Sequence, residues 1–140
     1  MNRSDTPQLP VDTAILVVLM ACTRYDGHVA EAETRKLRSI LLWSPIFAGN
    51  TTEEDDQLLA AAGDILSRTD LNHAVDLAVA SLPAPLKTTA LCFSFDMVYA
   101  DGHVDDAEKE FLLVLAKKMQ VPASIVEAID LVTVARHAPG

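Results

Sequence analysis

Apolar residues recur along this chain at three- and four-residue spacing and nowhere alternate with polar ones over the length of a strand. From Val11 onward, Ile15, Leu16, Leu19 and Met20 mark the inner face of a first helix. Asp12 can cap it, and it should run to about Arg24 or Tyr25, where Asp26-Gly27 stops it. A second helix is predicted from about Ala30 to Trp43, with Leu37, Ile40 and Leu41 inward and Pro45 and Gly49-Asn50 beyond it. Thr51-Thr52 followed by Glu53, Glu54, Asp55 and Asp56 is the composition a helix N-terminus prefers. The third helix therefore spans about Glu53 to Ser67 and buries Leu58, Leu59, Ala62, Ile65 and Leu66.

Thr69-Asp70 opens a short fourth helix, about Leu71 to Ser81, with Ala74, Val75, Leu77 and Ala78. Pro83 and Pro85 fit the first turn of a fifth helix that runs from about Ala84 to Tyr99. The sixth, about Asp105 to Met119, should bury Phe111, Leu112, Val114 and Leu115. The seventh, about Pro122 to Ala135, should turn Ile125, Val126, Ile129 and Val132 inward. The expected fold is all-α, with about seven helices in a compact bundle. Residues 1–10 read as a flexible leader, 11–136 as the helical domain and 137–140 as a tail.

Composition agrees with a helical core. Half the residues are hydrophobic, few are aromatic and only five are glycine, which leaves little for the tight turns of an all-β chain. The formal charge of −9 disfavours nucleic acid and anionic lipid as partners and favours cations or basic surfaces. No apolar run reaches the roughly 20 residues that span a bilayer. The start lacks the basic flank and cleavage site of a signal peptide, so a cytoplasmic protein is expected. Cys22 and Cys92 sit in apolar runs with no CxxC, which reads as structural burial rather than redox or metal work.

One stretch occurs twice, 75 positions apart: Asp26-Gly27-His28-Val29-Ala30-Glu31-Ala32-Glu33 and Asp101-Gly102-His103-Val104-Asp105-Asp106-Ala107-Glu108. From Asp26 to Leu37 against Asp101 to Leu112, seven of twelve positions are identical. Each copy joins the end of one helix to the start of the next, and Leu16 with Leu91 extends the repeat backwards. Two related helix-loop-helix units about a pseudo-twofold are expected, with the third and fourth helices inserted between them.

Two readings of the repeat stand side by side. In the first it is helix-end chemistry. Glycine closes a helix in the left-handed conformation. Asp105 with Glu108 makes a capping box, and Val29 and Val104 staple the turn. That reading leaves Asp26 and Asp101 unexplained, since an acid at a helix C-terminus opposes the macrodipole. It also falters at Ala30, which stands where Asp105 caps the other copy, although Glu33 keeps its place.

In the second reading Asp26, Glu33, Asp101 and Glu108 hold a divalent cation. Oxygen-only ligands select Ca²⁺, Mg²⁺ or Mn²⁺. The D-G-x5-E spacing equals the second half of an EF-hand loop. The first half is missing, because its first two ligand places hold Cys22 and Arg24 in one copy and Met97 and Tyr99 in the other. Half a loop has too few ligands for tight binding, so the copies share one ion, bind weakly or do not bind.

At these residues the chain resembles the TerB family of tellurite-resistance proteins and the wider TerB-like domains. The resemblance rests on Ala100-Asp101-Gly102-His103-Val104 through Glu108, on Asp26-Gly27-His28-Val29 through Glu33, and on the closing pattern Phe111-Leu112, Ala116, Met119 and Val121-Pro122. Tyr25 and Ala30 depart from the family pattern in the first copy. The resemblance implies an all-helical, non-enzymatic fold and a metal site on the motif carboxylates. It also implies a stress-response role through protein complexes at the cytoplasmic face of the membrane.

The remaining residues add less. His28 and His103 are expected to be exposed rather than metal ligands. Asp96 is expected to mark the wet side of the fifth helix, with the second loop as the other choice, and Trp43 to pack in the core. No phosphate loop, G-x-S-x-G or HExxH is present, which leaves a metal-dependent hydrolase as a distant alternative. The leading expectation is a TerB-like module that binds a divalent cation through the two loops and contacts partner proteins, with a homodimer compatible. The alternative is a metal-free interaction scaffold whose repeat only caps helices.

Overall fold

The run from Ala14 to Leu19 has no polar residue, so a helix built from it offers no face to water. The computed structural model, which describes residues 8–24, 31–100 and 104–138, places that run at the centre. All six residues are fully buried within α1 (Val11–Arg24). The five large aliphatics among them, Ile15 to Leu19, contribute roughly 10 kcal/mol of gross hydrophobic stabilisation. Around α1 pack α3 (Thr52–Arg68), α4 (Leu71–Ala80) and α5 (Ala84–Val98). In turn α5 carries α2 (Glu31–Trp43), α6 (Asp106–Lys118) and α7 (Ala123–Arg136). No strand occurs among the described residues, and the fold is all-α with seven helices. No helix among them is long and apolar enough to cross a membrane.

The repeat is visible in the helix bounds. Each end of α6 lies 75 positions after the matching end of α2, and both helices are 13 residues long. Equivalent positions share burial: Leu16 with Leu91, Leu19 with Ser94, and Ile40 with Leu115 are all fully buried. The two longest helix-initiating signals also act as expected. Thr51 and Asp105 each accept the N–H of the residue three on, and Glu54 and Glu108 each return the bond, forming capping boxes on α3 and α6.

The last turn of α6 closes without glycine. Gln120 takes the left-handed conformation at φ 57°, Val121 N–H donates to Ala116 O, and Gln120 N–H donates to Lys117 O. This is a Schellman closure with glutamine in the place glycine usually fills. It directs the chain sharply into Pro122 and α7.

Several side chains depart from the sequence expectation. Val114, Ile125 and Val132 are exposed, not inward. Trp43 is half exposed, its ring edge-on to Phe93 with centroids 5.6 Å apart. Asp96 is not on a wet side: it is buried in α5 and ion-paired to Arg136 of α7. The reason is common to these cases. Apolar residues that stand next to one another, as in Leu41 to Trp43, Phe111 to Leu115 and Leu131-Val132, do not say which of them turns inward, and a buried acid depends on a cation 40 residues away.

Candidate functional site

The second D-G connection leaves α5 at Tyr99 and enters α6 at Asp105. Asp101, Gly102 and His103 lie outside the described residues, as do Tyr25 to Ala30 of the first connection, with Asp26, His28 and Val29 among them. Glu33 lies in the first turn of α2, and its side chain is also outside the description. Of the four expected ligands, only the Glu108 carboxylate is described. Its Oε1 accepts the Asp105 N–H at 3.1 Å, and the residue is only 9% exposed. Among the described residues no group of three or more His, Cys, Asp or Glu is placed to hold a metal.

Burial separates the two capping boxes. Glu54 does the same work on α3 in full solvent, while Glu108 does it against the core. Capping alone does not require that burial. Val104, one residue before the cap, is half-buried against the core, but the place a staple partner would fill holds Lys109. The fold also sets Arg35, Lys36 and Ser39 of α2 around Ala100, the residue before Asp101. Thus α2, the helix that carries Glu33, lies against the exit of α5, and it brings basic side chains to that place.

Three helices then meet beside the connection. The Tyr99 hydroxyl donates to Asp130 Oδ1 of α7 at 2.8 Å. Burial first, and then the hydrogen bond and charge of Asp130, push the phenol up to about 12. Farther along α5, the buried Asp96 carboxylate accepts from the Arg136 guanidinium. Cys92 lies one turn earlier; burial pushes its thiol up, Asp96 adds to this and Arg136 partly opposes it. A thiol so placed is a poor nucleophile at neutral pH. Cys22 is buried and donates to Val18 O.

These polar contacts tie α7 to α5, and α6 and α7 pack mainly on α5, with little contact between each other. A groove remains between them. Lys109, Leu112, Leu113, Ala116 and Lys117 form one line along α6, and Ala123, Val126, Glu127 and Asp130 form the opposing line on α7. Phe95 and Tyr99 of α5 floor one end and Val121 the other. Two cavities of about 220 and 420 Å³ adjoin at Leu113, Val126 and Glu127, and the first lies at the exit of α5 beside Tyr99.

The outer face of α7 is apolar as well. Leu131 is 72% exposed, and Ile125, Val132 and Val134 are also open to solvent, while only Ile129 and Thr133 are buried. Neither the groove nor this face follows from the repeat. The signal was present all the same: from Ala123 to Ala135 the only charged residues are Glu127 and Asp130, a composition that suits a helix covered on every side.

A family model described as tellurite resistance protein TerB matches residues 12–131. No curated protein and no solved structure matches the chain.

Proposed function

The chain belongs to the TerB family, and on that premise we propose that it works as a protein-interaction module of a stress response, with the α6–α7 side as its contact surface. Domains of this family are non-catalytic scaffolds. The observation that carries the reading is α7: a helix at the surface that turns Ile125, Leu131, Val132 and Val134 to solvent. In this reading the D-G connections are helix-end chemistry, as the Asp105–Glu108 box exemplifies. Partners at the cytoplasmic face of the membrane belong to the same proposal.

Position-specific photocrosslinking tests it. A photoreactive residue at Leu131 should give discrete adducts in cells under oxyanion stress. The same residue at Ala60, on the exposed face of α3, should give none. Identical adduct patterns from both positions would overturn the reading.

A second reading keeps a divalent cation, Ca²⁺ or else Mg²⁺ or Mn²⁺, on Asp26, Glu33, Asp101 and Glu108. What favours it is the burial of Glu108 where Glu54, in the same capping role, is exposed. Against it stand Arg35 and Lys36, which supply positive charge near the exit of α5 without an ion. Thermal melts with millimolar Ca²⁺, Mg²⁺ and Mn²⁺ decide between the two. The cation reading requires a rise in Tm that Glu33→Gln with Glu108→Gln abolishes. The capping reading expects no rise in either protein.

A further inference from the structure

We propose that the groove between α6 and α7 receives an amphipathic helix of a partner protein, whose apolar stripe is edged by acidic residues on one flank and basic residues on the other. The proposal rests on the interaction-module reading and names the chemistry of its partner.

The shape comes first. Both walls are helical lines at i, i+3, i+4 and i+7 spacing, and both helices rest mainly on α5, with little contact between each other. From Lys109 to Lys117 the groove is about 12 Å long, or two helical turns. Two or three apolar side chains at the spacing of a helix stripe would fill such a trough, and their helix would complete a layer over α5. A compact small molecule would leave one end empty.

Charge then selects among helices. The α6 rim carries Lys109 and Lys117, both exposed. The α7 rim carries Glu127 and Asp130. Neither lysine nor Glu127 forms an ion pair among the described residues, and Asp130 takes only the Tyr99 hydroxyl. One rim is basic and the other acidic, so the matching helix must present acids toward α6 and bases toward α7. A second copy of this chain does not offer that pattern through its own apolar helix, because the outward face of α7 holds Glu127 and no basic flank.

Three stapled helical peptides with one shared apolar stripe provide the probe. One carries an acidic and a basic flank, one carries two acidic flanks and one two basic flanks. Fluorescence anisotropy at low salt should show the mixed peptide binding the wild-type chain about tenfold more tightly than either uniform one, since two rim contacts change sign. Raising the salt should shrink that margin. In the variant Lys109→Glu with Lys117→Glu, whose sites are exposed, the doubly basic peptide should become the tightest. No saturable binding of any peptide, equal affinities on the wild type, or an unchanged ranking in the variant would each overturn the proposal. So would sedimentation showing a dimer that Leu113→Glu dissolves, because a second copy would then fill the groove. If every peptide fails while the Leu131 adducts persist, the groove proposal falls and the module stands. If both fail, both fall.

Discussion

Helices α3 and α7 each bury few side chains completely and are opposite on the outside. Each buries only two residues, Ala62 and Leu66 in one, Ile129 and Thr133 in the other. Outward, α3 shows Glu53, Glu54, Asp56 and Asp64, and water completes it. Outward, α7 shows Leu131, Val132 and Val134, and water does not. To its footing on the core α3 adds the half-buried Leu58, Leu59 and Ile65, whereas α7 adds only Val126, so the helix with the smaller footing is also the one with the apolar surface. In the function proposed above, a partner covers it.

The sharpest way to break this comparison is to show that α7 is not anchored as described. Ile129→Ala should cost about 2–4 kcal/mol in urea denaturation, like other large-to-small changes at buried sites. A cost near zero would mean that α7 is not docked through this residue. Next in size is the ion pair at its C-terminal end. Arg136→Ala strands the buried Asp96, whose side chain is 10% exposed, and should cost about 2 kcal/mol, discounted because Arg136 itself is half in solvent. The corresponding loss on α3, Arg68→Ala beside the exposed Asp64, should cost about 0.3 kcal/mol. Equal costs would remove the contrast between the two helices.

A gain of about 1 kcal/mol is expected from Gln120→Gly, which relieves the left-handed residue before α7 without touching the groove wall. A further effect is one of pH dependence. With Tyr99 pushed up to about 12 in the folded chain, against roughly 10 when unfolded, the neutral phenol adds stability that is fully present below pH 10. That contribution is lost as pH rises from about 10 to 12. The stability advantage of wild type over Tyr99→Phe should therefore narrow across that window, and parallel pH profiles would count against the Tyr99–Asp130 contact.

Much of the fold was legible in the sequence because its signals are local. Caps, prolines and the D-G breaks set helix ends to within one or two residues, and the unbroken apolar run of α1 could only be a centre. The Asp105–Glu108 box was legible for the same reason. What was not legible is relational. Val114, Ile125 and Val132 look like core residues, and only the way α6 and α7 sit on α5 leaves them outward. Asp96 looks solvated until Arg136 arrives from another helix. The groove needs two helices to pack mainly on a third and little on each other, which no single segment encodes.

The central claim is that the outer face of α7 is covered in the cell. Thiol labelling measures this directly, in a chain where Cys22 is buried and burial pushes the Cys92 thiol up. Leu131→Cys and Ala60→Cys should react equally fast with a maleimide in the purified protein, since both sites are exposed. In stressed cells the account predicts that position 131 becomes at least severalfold slower while position 60 does not change. Equal labelling at both positions in cells and in solution would contradict it.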